Sequence, residues 1–167
     1  MKKDFLVVLG FMFLAAIMIS CSSSDTKTGS GNSTVADFTT TDIEGNSHSI
    51  SEFIGRKPVI INFWGTWCPP CKREMPDLKR IYDEYKGRGL EIVGLAVNDT
   101  PEKVKAFAGQ YGTDWMMLMS TKEAMLAFGL GSAIPVTIFY DKDGKEQGRY
   151  TGARGYEDFK IMVEKMI

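Results

Sequence analysis

Apolar residues run from 59 to 64, with Asn62 the one polar member. A short, nearly unbroken apolar run fits a parallel strand buried on both faces. Past Cys71 the period changes. Cys71, Met75, Leu78, Ile81, Tyr82 and Tyr85 fall on one face of a helix predicted over 72–86. Pro76 lies inside it, removes one backbone hydrogen bond and predicts a kink; Gly87 and Gly89 end it. A second strand follows over 90–97. Asn98-Asp99-Thr100 turns, and Pro101 opens a helix to about 111 with Thr100 as its cap. A short strand over 114–119 and a helix over 121–128, capped by Thr121, come next. Residues 136–140 read as a strand, 141–144 as a turn and 145–150 as an antiparallel edge strand. Residues 156–167 form an amphipathic closing helix.

Upstream, 35–49 reads as a hairpin turning at Glu44-Gly45-Asn46. Ser51 is placed to cap a short helical turn through 54, and His48 to face solvent from the return strand. The methionines at 116, 117, 119 and 125 read as core filler.

The first 34 residues have a different pattern. Lys2 and Lys3 precede an apolar stretch over 5–19, and small Ser20 precedes Cys21. This predicts a signal peptide over 1–20, with an apolar core short of the roughly 20 residues of a spanning helix. Met18-Ile19-Ser20-Cys21 resembles a bacterial lipobox, departing from it at Met18, where Leu is commoner. The resemblance implies that Cys21 is lipidated and becomes the new N-terminus. An uncleaved anchor is the alternative. Residues 21–34, rich in Ser, Thr, Gly and Asn, then form a flexible tether, and 35–167 a folded domain outside the cytoplasm but held at the membrane.

Composition narrows the function. The chain of 167 residues suffices for one domain with its own core. A net charge of −1, with no basic run, argues against a nucleic-acid partner.

The candidate chemistry sits between the central strand and the helix, at Trp67-Cys68-Pro69-Pro70-Cys71. Two cysteines three apart at such a junction read as a redox pair. Cys68 would stand at the helix N-terminus, where unpaired N–H groups and the macrodipole favour a thiolate. Pro69 and Pro70 suit the first turn, which has no intrahelical use for their missing N–H groups. Cys71 would lie one turn deeper, leaving Cys68 as the exposed thiol. Cys68 therefore attacks and Cys71 resolves. Structural zinc needs about four ligands, and only Cys21 and His48 remain, neither with a ligand-spaced partner. No metal and no cofactor are expected. A purely structural disulfide would close too short a loop to add much stability.

The stretch VIINFWGTWCPPCKREMP resembles the TlpA/ResA branch of the thioredoxin superfamily, the extracytoplasmic thiol–disulfide oxidoreductases. The resemblance runs from about residue 35 to the C-terminus. It implies an α/β thioredoxin-like fold, with a central mixed β-sheet flanked by helices, an added N-terminal hairpin and a central βα insertion. It implies a cis peptide before Pro135, exposing the Ile134 backbone to a partner chain. Trp67, Pro69 and Ile134 would line the contact surface, and Trp64 either joins them or packs in the core. Thioredoxins proper carry an aspartate where this chain has Asn62, and an amide cannot titrate. Glu74 lies on the edge of the helix's apolar face, and the resemblance gives it the proton-handling role; a solvated first-turn glutamate is the plain alternative. Protein thiols and disulfides are the implied substrates, apocytochrome c among them, with a membrane thiol donor to recharge the pair. Two other readings stay open. A thiol peroxidase would need Thr or Ser three residues before Cys68, where Gly65 stands. A non-enzymatic binding module is the other, though no C-x-x-C-H haem motif is present.

Overall fold

The computed structural model describes residues 35–167. The predicted signal peptide, the tether and Cys21 lie outside the described residues. Two short strands, β1 (Thr39–Thr41) and β2 (Ser47–Ser49), pair antiparallel. After a 3-10 turn (Ile50–Glu52) the chain enters β3 (Val59–Trp64) and then α1 (Pro69–Tyr85). It continues through β4 (Glu91–Ala96), α2 (Pro101–Tyr111), β5 (Met116–Met119) and α3 (Lys122–Ala127). It closes with β6 (Val136–Tyr140), β7 (Glu146–Thr151) and α4 (Tyr156–Met166). The main sheet has the order β5-β4-β3-β6-β7. β3, β4 and β5 run parallel, while β6 and β7 pair antiparallel. This is the thioredoxin-like α/β fold. Among the described residues no helix is long and apolar enough to cross a membrane.

The central strand explains the rest. All six residues of β3 are buried. Val59, Ile61 and Phe63 join one core, with Ile138, Leu95 and Phe128. Ile60 and Trp64 join the other, with Met75, Leu78 and Ile81 of α1. Side chains alternate along a strand, so Asn62 faces the α1 side with Ile60 and Trp64. The hairpin covers the β5 edge. Ile43 N–H donates to Met117 O at 3.3 Å, and the Thr40 hydroxyl donates to Met119 O. A covered edge offers no free template for pairing with another chain.

Several local expectations shift. The 3-10 turn starts two residues early, at buried Ile50, so Ser49 rather than Ser51 is its cap, and Glu52 completes a capping box. His48 does not simply face water. Its ring lies 3.1 Å from Glu52 and 3.2 Å from Asp42 with its side chain 19% exposed, and the Glu52 bond first, then Asp42, raises its pKa. Thr100 sits at the α2 cap position but makes no capping hydrogen bond, whereas Thr121 caps α3 through Ala124 N–H. α1 starts at Pro69 and continues past exposed Pro76 to Tyr85.

Gly94 of β4 marks a close approach rather than a turn. A Cβ there would meet Met117 Sδ at 2.8 Å and Trp64 Nε1 at 2.9 Å. Both contacts belong to the core beside the cysteines. Gly94→Ala is expected to destabilise the fold by about 1–3 kcal/mol through overpacking, read as a lower denaturant midpoint at unchanged slope.

Candidate active site

β3 ends at Trp64, and the Cys68 N–H donates to Gly65 O at 3.1 Å, closing a turn that delivers Cys68 to α1. Cys68 is the N-cap of that helix, in extended conformation. The two prolines that follow have no N–H, so the first free donor of α1 is that of Cys71. It points at Cys68 Sγ, 3.3 Å away. Cys68 and Cys71 are joined by a disulfide, their Cα atoms 5.3 Å apart. In the reduced protein the same donor and the helix dipole would face the Cys68 sulfur and favour its thiolate.

The Ile134–Pro135 peptide is cis, and Ile134 O stands 3.9 Å from Cys68 Sγ. Pro135 O accepts the Gly152 N–H at 2.8 Å, which fixes this loop to the segment before α4. Cys68 is only 3% exposed, against the expectation of an open thiol. The disulfide turns its sulfur toward Cys71, and the proline loop stands close. Trp64 is fully buried against Phe107, ring centroids 4.8 Å apart, and does not belong to the contact surface. Trp67 is 52% exposed, Pro69 is exposed and Ile134 half-buried.

Glu74 lies deeper than its place on the helix edge predicts, at 1% exposed. Its Oε1 accepts from the Asn62 amide at 3.0 Å and its Oε2 from Arg154 N–H at 3.3 Å. Burial pushes its pKa up to about 7, although those two donors pull the other way. Asn62 also donates to the Thr137 hydroxyl at 3.0 Å, so both its amide hydrogens are used. Among the described residues no group of three His, Cys, Asp or Glu side chains is arranged to hold a metal ion.

A buried carboxyl titrating near neutrality, a cysteine pair at a helix start and a cis-proline against it suit thiol–disulfide exchange. Comparison with known proteins agrees. A family model described as AhpC/TSA matches residues 32–147. The thiol-disulfide oxidoreductase ResA of Geobacillus thermodenitrificans is 37% identical over 135 residues, 80% of this chain and 76% of the relative. The chain belongs to the AhpC/TSA family, among its ResA-like thiol–disulfide oxidoreductases. A second ResA, from Halalkalibacterium halodurans, is 32% identical over 162 residues, 96% of this chain and 84% of that one. A crystal structure of a thiol:disulfide interchange protein of the thioredoxin family from Chlorobium tepidum superposes with a TM-score of 0.71 at 31% identity. It covers 80% of this chain and 95% of its own.

The ResA-like site includes groups that the motif does not announce. Thr137 is the direct cross-strand partner of Asn62. It is a polar residue in an otherwise apolar strand, the same signal that singles out Asn62. Arg154 contributes a backbone N–H, for which no side-chain pattern exists. Lys72 and Arg73 beside the pair are exposed.

Proposed function

We propose that this chain is a membrane-tethered, extracytoplasmic enzyme that reduces disulfides in protein substrates through Cys68 and Cys71. The observation that carries the reading is the placement of Cys68 Sγ between the first free N–H of α1 and the carbonyl of Ile134. The Cys68 thiolate attacks one sulfur of the substrate disulfide. That S–S bond breaks, a mixed disulfide forms and the departing sulfur leaves as a thiolate. Cys71 loses its proton to Glu74 and attacks Cys68 Sγ. The second substrate thiolate departs; the two electrons given up by the dithiol now reside in the two substrate thiols, and Cys68 and Cys71 are left as the oxidised disulfide. Pro135 turns the Ile134 backbone toward the incoming segment, which Trp67, Pro69 and Ile134 flank; strand-like hydrogen bonding could hold it there.

The ResA-like sequence and the predicted lipidation of Cys21 support a site facing the extracytoplasmic space. Cysteines of apocytochrome c are the candidate substrate, and a membrane thiol donor would return the pair to its reduced form. The peroxidase reading is weaker. Gly65 has no hydroxyl, and the Thr66 hydroxyl donates to Asp99 Oδ1 at 3.0 Å. Redox titration of the full chain against glutathione and dithiothreitol tests the direction of flow. A midpoint near −270 mV, on the order of thioredoxin's, is expected of a reductant; one near −120 mV would make the protein an oxidant and overturn the proposal.

A further inference from the structure

The turn that carries Cys68 is tied to the loop after β4 by three hydrogen bonds. Thr66 N–H donates to Asp99 Oδ2 at 2.6 Å, and its hydroxyl donates to Asp99 Oδ1. The Trp67 indole N–H donates to Val97 O at 2.9 Å. Thr66 and Trp67 are the two central residues of the turn closed by Cys68 and Gly65. Both are therefore anchored on residues 97–99.

That anchor is itself fixed. Val97 N–H donates to Trp64 O at 2.8 Å, and Asp99 Oδ1 also accepts the Thr100 N–H at 3.0 Å. Asn98 takes a left-handed conformation, φ 48°, which asparagine tolerates better than most residues. Gly65 makes room for the folded-back indole, since a Cβ there would lie 2.8 Å from Trp67 Nε1. Trp67 is thus half-exposed yet held, and Asp99 meets two donors of one residue without touching either sulfur.

We propose that Asp99 is a positioning residue for exchange with protein disulfides. By gripping Thr66 it keeps the Gly65–Cys68 turn in the form that sets Cys68 beside the Ile134 carbonyl and presents Trp67 as a fixed platform. The inference rests on the reading of Cys68 as the attacking sulfur. Attack on a disulfide requires the three sulfurs in line, with the substrate chain docked; alkylation by a small reagent requires only a thiolate. A loosened turn therefore slows the first reaction and spares the second.

The test compares two rates in the reduced full chain: exchange with a disulfide-linked model peptide, and alkylation by iodoacetamide across pH. Asp99→Ala is expected to lower peptide exchange by ~10-fold, the scale of a misplaced reacting group, with the alkylation rate and its pH midpoint held. Thr66→Val is expected to lower peptide exchange in the same direction, and Thr66→Ser, which keeps both donors, to recover it. An Asp99→Ala protein that exchanges at the parent rate overturns the proposal. So does one that loses both reactions alike, since Asp99 would then act only through the scaffold or thiol acidity. Failure of the underlying reading has its own signature. Peptide exchange that survives Cys68→Ser in the parent chain removes Cys68 as the nucleophile, and the Asp99 proposal with it.

Discussion

Cys68→Ser lowers disulfide exchange by on the order of 10³-fold or more, because a hydroxyl supplies almost no anion at neutral pH while a thiolate is the attacking species. Cys71→Ser has an equally large effect on turnover through a different step. Its Cys68 still opens the substrate disulfide, but nothing resolves the product, and the reaction stops after one equivalent. Stopped-flow measurement of one turnover against steady-state rates separates the two. Neither substitution should unfold the protein, since α1, β3 and β4 pack through Met75, Leu78, Ile60 and Ile92 in the same core. If Cys68→Ser retained turnover near the parent rate, the sulfur roles argued above would be wrong.

Glu74→Gln changes both stability and rate, and the sign of the stability change depends on pH. Glu74 has a folded pKa of about 7 against an ordinary value of 4.5, so the fold prefers the protonated carboxyl. The stabilisation linked to this proton is complete below about pH 4.5 and is lost as pH rises through 7. The two values differ enough to make it worth about 3 kcal/mol at full extent. An amide cannot titrate, so the variant loses this slope. It also cannot serve both donors, Asn62 and Arg154 N–H, as a carboxyl oxygen pair does, and should lose about 1 kcal/mol at all pH values. The variant is therefore expected to be less stable than the parent at pH 4.5 and more stable at pH 8, read from denaturant midpoints. The same proton enters the proposed chemistry. The parent's resolution step should speed up as pH rises through 7. Glu74→Gln should lose that inflection and slow by ~10²-fold. An unchanged pH profile would return Glu74 to a packing role.

The core strand was the most legible part of the chain. Residues 59–64 carry the same bounds in the sequence pattern and in β3, because an apolar run buried on both faces leaves the chain no other place. Elements with a distinctive stop or start, such as Pro101, Thr121 and the turn before β7, were also readable, since local chemistry decides them. Burial depth was not. Glu74 lies on a helix edge by periodicity, but its exposure depends on Asn62 and the Arg154 segment closing over it from distant parts of the chain. Cys68 reads as exposed at a helix start, yet the loop at Ile134, 66 residues away in sequence, stands against it. The cap lies at Ser49, two residues before Ser51, because the turn begins at Ile50, whose side chain is buried in the core. Asp99 looked like a turn residue, and its grip on Thr66 joins the ends of two neighbouring strands that only the sheet brings together.

The most direct measurement is the site of the covalent link. Cys71→Ser protein, reduced and then mixed with a disulfide-bonded protein substrate, is quenched in acid, digested and mapped by mass spectrometry. The substrate cysteine should be found joined to the peptide containing Cys68. A mixture with no mixed disulfide, or one in which the Cys68→Ser protein traps the substrate on Cys71 at the same rate, would contradict it.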